Sequence, residues 1–140
     1  MGCLSVFAED RTSSRSQFVI PNIDRSPYLD GKVNESVWQN ALRIDTFYQF
    51  TPNNGEPPSQ KTQAYMYCDA NNLYVAFRCF DTEPDKIRAT LAPRNQWSNN
   101  DNAFIYLDTF DNKRDQYLFM INPHGEIGRA HVWTPVTEYD

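Results

Sequence analysis

Apolar and polar residues alternate along most of the chain, and this pattern predicts strands almost throughout. The stretches KTQAYMYC (61–68) and NLYVAFRCF (72–80) alternate cleanly, and the Asp-Ala-Asn-Asn turn at 69–72 joins them into a hairpin. AFIYLDTF (103–110) and QYLFMINP (116–123) form a second hairpin, and EIGRAHVW (126–133) opens a third. QFVIPNI (17–23) starts the series, and PYLDGKVNE (27–35) supplies an Asp-Gly turn. A further strand is expected at 46–50, running into a Pro/Asn/Gly-rich loop that ends at 60. Residues 81–101 read as a long irregular connection.

Only ESVWQNALR (35–43) carries helical spacing. Asn34 is its expected N-cap, Glu35 favours its positive end, and Val37, Ala41 and Ile44 make its apolar stripe with Trp38 beside them. Trp38 is therefore expected in the core. Strands at this spacing, with one short helix and no internal repeat, predict an all-β fold, an antiparallel β-sandwich. Within the second hairpin, Ile105, Leu107 and Thr109 share one face and Tyr106 and Asp108 the other. On the return strand Tyr117, Phe119 and Ile121 oppose Leu118 and Met120.

Composition then limits what such a fold can do. The chain has 140 residues, enough for one domain with a working core. Its net charge of -5, with 13 basic residues in no cluster, excludes nucleic acid as a partner, since phosphate neutralisation needs grouped Lys and Arg. Eight Tyr, nine Phe and three Trp make it aromatic-rich, as pleated surfaces that pack large rings are. No apolar run reaches the length of a bilayer-spanning helix. CLSVFAED (3–10) reads as a signal-peptide remnant, with Val6 and Ala8 at the two places a signal peptidase inspects. Residues 9–17, EDRTSSRSQ, read as a flexible linker, so 1–17 is leader and linker and 18–140 the folded domain. Cys68 and Cys79 lie in consecutive strands but not opposite each other, and both are expected as buried free thiols.

Chemistry-bearing motifs are few. The chain has no phosphate-binding glycine loop, no paired zinc ligands and no nucleophile elbow. His124 and His131 are spaced for neither a metal pair nor a triad, and no pair among the eighteen acids stands out as a glycosidase couple. Asp108, Asp111 and Asp115 crowd the tip of the second hairpin. They are weak calcium ligand candidates, a solvated tip being the commoner reading of such a loop.

Three ordered stretches resemble one known family. YLDGKVNESVWQNA (28–41) is similar to the IDGKLDEEVWQNA opening of family 9 carbohydrate-binding modules. DANNLYVAFRCFD (69–81) resembles their DDxxLYVAxxxxD hairpin, and DNAFIYLDTFDNKRDQYLFMINPHG (101–125) their DxxxIxLDTxxDxxxxYxFxxNxxG strand pair. The nearest likeness is to the domain at the N-terminus of bacterial envelope proteins whose C-terminal region is of outer-membrane β-barrel type. The resemblance implies a β-sandwich, an extracytoplasmic (periplasmic or envelope) location and a polysaccharide or oligosaccharide ligand, with structural calcium as the cofactor. It also implies a C-terminal domain of the same parent protein as partner.

In sugar-binding members two tryptophans hold the sugar. Trp97 stands near the first; the second is expected past Asp140, so the sandwich reads as truncated, with marginal stability or oligomerisation expected of it. Trp97 reads equally as a ligand platform and as a loop anchor. Arg94, Asn95, Asp101 and Asn122 complete the carbohydrate-binding set, with capping or turn-forming roles as their ordinary alternatives. An acidic contact and an Arg contact of the family align with Phe104 and Met120. The expected function is thus a non-enzymatic carbohydrate-binding-like module of a larger extracytoplasmic protein, linked to polysaccharide catabolism, whose parent carries any O-glycosyl hydrolase activity. The alternatives are an accessory module that has lost sugar binding and packs on its parent chain and, third, a glycoside hydrolase domain.

Overall fold

The structure, a computed structural model, describes residues 5–9, 15–88, 100–112, 114–123, 125 and 127–133. The chain divides into two compact units, residues 1–82 and 83–140. The described residues form eight strands in three antiparallel sheets, with one α-helix of four residues. The all-β, antiparallel class predicted by the alternation is the one observed.

The first unit opens with β1 (Ser5–Glu9) and β2 (Arg15–Val19), which pair antiparallel. Residues 9–17, expected as a linker, therefore include strand ends. The register sets Ser5 opposite Val19 and Glu9 opposite Arg15. After β2 the chain runs beside the end of β4 (Thr62–Cys68): the Cys68 amide donates to the Pro21 carbonyl at 3.0 Å, and the Ile23 amide to the Cys68 carbonyl at 2.8 Å. Ile20 is fully enclosed there. The Asp-Gly turn follows as expected. Gly31 sits at φ +76°, a conformation costly for residues with a Cβ, and Asp30 Oδ1 accepts the Lys32 amide at 2.9 Å.

The helix, α1 (Ser36–Gln39), is shorter than its spacing predicts and begins after Glu35 rather than Asn34. Glu35 is extended and makes no side-chain cap bond; its Oε1 instead accepts the Tyr28 amide at 3.2 Å. Leu42–Ile44, read as the helix end, is strand β3, paired with β4 through Leu42–Met66 and Ile44–Ala64. A helix this short is marginal on its own, so sheet pairing takes the residues its last turn would have used. Residues 45–50, expected to hold a strand, carry none; the strand lies just before them.

The hairpin of β4 and β5 (Leu73–Cys79) matches expectation, Cys68 facing Leu73 across the turn. Asp69 builds that turn. Its Oδ1 accepts the amides of Asn71 and Asn72, both at 2.7 Å, and its Oδ2 accepts the Tyr74 hydroxyl at 2.7 Å. These bonds, Tyr74's first, stabilise the carboxylate and lower the Asp69 pKa to about 2. Cys68 and Cys79 are free and not opposite each other, as expected, but Cys79 is exposed, because β5 leaves cover at its end.

One face of this sheet holds the core. Tyr65 and Tyr67, paired across to Ala76 and Tyr74, pack with Val37 and Trp38 of α1 and with Ile23 and Val33. Trp38 is buried as predicted and meets Tyr67 edge-on at 5.1 Å between ring centroids. Tyr67 stacks on Tyr74 at 4.8 Å, and its hydroxyl donates to the Arg25 carbonyl at 3.0 Å. The opposite face carries Leu42, Ile44, Ala64, Met66, Val75 and Phe77, with Ala64 fully enclosed.

In the second unit a single 3-10 turn, Pro84–Lys86, precedes β6 (Ala103–Leu107), β7 (Asp115–Ile121) and β8 (Ile127–Trp133). β7 is central, and β6 and β8 flank it antiparallel. Alternation along β6 leaves Ala103, Ile105 and Leu107 half-buried and exposes Phe104 and Tyr106, while β7 buries Leu118.

Candidate functional site

Three of the expected carbohydrate contacts, Arg94, Asn95 and Trp97, lie outside the described residues. Of the flanking residues, Arg88 and Asp101 are bonded to each other. The Arg88 amide donates to Asp101 Oδ2 at 2.8 Å, and the Asp101 amide donates to the Arg88 carbonyl at 3.0 Å. This two-bond clasp joins the ends of residues 89–99. Asp101, expected to contact sugar, thus uses one carboxylate oxygen to close the base of the segment that carries Trp97. A carboxylate bonded to a backbone amide is fixed in place, as positioning requires. Asn102 supports the same corner, donating from Nδ2 to the Asn100 carbonyl at 2.9 Å.

Asn122 is 7% exposed, and its carbonyl accepts the Gly125 amide at 2.9 Å. With Gly125 at φ +77°, this is a tight turn between β7 and β8. The bond that closes this turn is a backbone one, so it assigns the Asn122 side chain neither to the turn nor to a ligand.

The acidic hairpin tip is organised by a residue that sequence reading did not single out. Asn112 Oδ1 accepts the amides of Arg114 and Asp115, both at 2.9 Å, and its Nδ2 donates to Asp115 Oδ2 at 2.7 Å. Asp108 Oδ1 accepts the amide of Phe110 at 3.1 Å and that of Asn112 at 3.4 Å. Asp111 occupies the left-handed region at φ +50°, which Asp tolerates better than most residues. The signal was present in the sequence: Asn and Asp placed two and three residues before the amides they cap form the Asx-turn pattern. Among the described residues no group of three or more His, Cys, Asp or Glu could hold a metal, and Asp108 and Asp115 are engaged in the turn. Phe110 and Tyr117 flank the tip, their rings 6.2 Å apart and tilted by 33°.

The two positions that align with the family's polar contacts are brought together. Phe104 and Met120 are direct cross-strand partners, so side chains there stand about 5 Å apart at Cβ. An acid and an arginine at this pair would form one grip. This chain fills both places with apolar groups, and Phe104 is 39% exposed.

The described residues thus form an antiparallel all-β chain whose hairpin tips are organised by Asx turns. The family model of the carbohydrate family 9 binding domain-like proteins matches residues 29–121, well over half of the chain, and the chain belongs to that family. It is a carbohydrate-binding-like module. No curated protein and no solved structure matches it.

Proposed function

We propose that this chain binds polysaccharide or oligosaccharide as one module of a larger extracytoplasmic protein of the bacterial envelope. The family match over residues 29–121 is the observation that carries this reading. The module itself catalyses nothing; any O-glycosyl hydrolase activity, and the link to polysaccharide catabolism, resides in the rest of the parent protein. A C-terminal domain of that protein, of outer-membrane barrel type, is its structural partner. Trp97 is the sugar platform, assisted by Arg94 and Asn95, and Asp101 holds the base of their segment. The apolar C–H face of a pyranose stacks on an indole, whereas the Phe104–Met120 pair supplies no charged grip. Affinity is therefore weak, in the millimolar range, roughly -4 kcal/mol.

Titration of the 140-residue chain with xylan, glucan and mannan fragments, followed by indole fluorescence and NMR, tests the proposal. Trp97→Ala abolishes binding and leaves the far-ultraviolet dichroism unchanged. If no sugar perturbs the indole signals, the competing reading prevails. That reading is an accessory module that has lost its sugar site, and the apolar Phe104–Met120 pair is the observation in its favour.

A further inference from the structure

The loop after β3 presents two aromatic rings to solvent from a pinned backbone. Along 47–50 burial alternates: Phe47 and Gln49 are half-buried, whereas Tyr48 is 60% and Phe50 84% exposed. Gln49 fixes this orientation through three bonds. Its amide donates to the Glu56 carbonyl at 2.8 Å, its carbonyl accepts the Gly55 amide at 2.8 Å, and its Nε2 donates to the Pro57 carbonyl at 2.6 Å. A fourth bond, from the Glu56 amide to the Asn53 carbonyl at 3.1 Å, closes the tip. With Gln49 turned toward the loop, Tyr48 and Phe50, on either side of it, are both turned to solvent. Exposed large aromatic rings on an ordered loop are a recognition feature, since packing alone would bury them.

The chemistry of the loop selects the occupant. Residues 45–60 contain no Lys or Arg, and their only charges are Asp45 and Glu56. Asp45 is paired with Arg43 at 3.2 Å. The one cation of the connection, Lys61 at its end, lies over the Phe80 ring at 5.5 Å, so the loop offers no basic cluster to phosphate, nucleic acid or an anionic membrane surface. Its other groups are neutral hydrogen-bonding side chains, with Asn53 and Asn54 exposed beside the rings. Aromatic faces next to neutral amides match a ligand with apolar C–H faces and a periphery of hydroxyls, an uncharged oligosaccharide. We propose that Tyr48 and Phe50 form a glycan-stacking edge on the first unit, in addition to the Trp97 segment. The inference rests on the carbohydrate-binding reading above. Because the loop is already ordered, binding there loses little conformational entropy.

The test uses the full chain with xylohexaose, cellohexaose and mannohexaose as probes, read by NMR of the aromatic side chains and by affinity. Tyr48→Ala combined with Phe50→Ala weakens binding at least about tenfold, since stacked rings carry most of such an affinity. Both rings are exposed, so dichroism and melting temperature stay at wild-type values, and Phe50→Tyr, which keeps the ring, retains binding. If the double variant binds as wild type while Trp97→Ala does not, the edge is not a sugar site and this inference alone falls. An aromatic edge that serves a protein partner gives that same result. If the wild-type chain binds none of the probes, the carbohydrate reading fails and this inference fails with it.

Discussion

Tyr67→Phe isolates one hydroxyl in the core of the first unit. Tyr67 is fully buried, and its ring lies 5.1 Å from Trp38 and 4.8 Å from Tyr74. Phenylalanine keeps both ring contacts and removes only the donor to the Arg25 carbonyl, a 3.0 Å bond. Losing the bond and leaving that carbonyl without its partner costs about 1–2 kcal/mol. For a chain of this size the melting temperature falls by on the order of 3–6 °C. Urea unfolding monitored by fluorescence shows a lower midpoint with an unchanged slope. Tyr67→Ala also removes the ring and costs about 3–5 kcal/mol, a large part of an ordinary domain's stability. The difference between the two variants measures the ring alone. Alkaline unfolding adds a second readout. Burial foremost, then Tyr74, Glu35 and Asp69, raise the Tyr67 pKa above the ordinary tyrosine value. A raised folded-state value means that the group's contribution is complete below about pH 10 and is lost as the pH climbs toward that value. Tyr67→Phe lacks this alkaline component. If its urea midpoint and its alkaline arm both equal those of wild type, the hydroxyl contributes nothing and the reasoning is wrong.

Three further outcomes follow from the turns. Asp69, whose folded pKa is lowered to about 2, contributes stability that is present above about pH 4 and is lost as the pH falls toward 2; in Asp69→Asn this acid-dependent step is absent from melting curves recorded across that window. Gly31→Ala forces a Cβ onto φ +76° with nothing within 4 Å to clash, so its cost is backbone strain alone, about 1–2 kcal/mol by urea unfolding. Asn112→Ala removes the acceptor of the Arg114 and Asp115 amides, so hydrogen exchange at both accelerates while that at Leu118, buried in mid-strand, does not change.

Local pattern reveals the hairpins and hides whatever depends on distant partners. The 61–80 hairpin was legible because alternation, the Asp-Ala-Asn-Asn turn and β-type residues agree, and Trp38 because a large ring beside a helical stripe belongs inside. The extent of α1 was not legible: Leu42–Ile44 is strand only because β4, about twenty residues later, offers a partner. β1 and β2 were hidden for a different reason: they pair with each other, but the polar residues 9–17 between and within them carry no alternation. At the candidate site, the register that joins Phe104 to Met120 follows from alternation once the hairpin is placed. The clasp between Arg88 and Asp101 does not, since it spans thirteen residues and its partner at Arg88 is backbone, which carries no sequence signal.

The residues that carry the family likeness also divide by the work they do. Asp30 and Gly31 make a turn, Trp38 fills the core, Asp69 and Tyr74 close a hairpin, and Asp108 caps the acidic tip. Asn122 closes the turn after β7, and Asp101 fastens the base of the Trp97 segment. Each spends its polar atoms or its bulk within the chain. A motif built of such residues specifies the fold, because substituting Gly31, Trp38, Asp69 or Asp108 leaves a turn or a core contact strained or unmade. It does not specify the ligand, whose contacts must come from groups the scaffold leaves uncommitted. Phe104 and Met120, an apolar cross-strand pair at positions where the resemblance leads one to expect polar contacts, keep the register of the hairpin. In the function proposed above, sugar binding falls to Trp97 and to the exposed rings of Tyr48 and Phe50, all of which lie outside the three motifs that carry the family likeness.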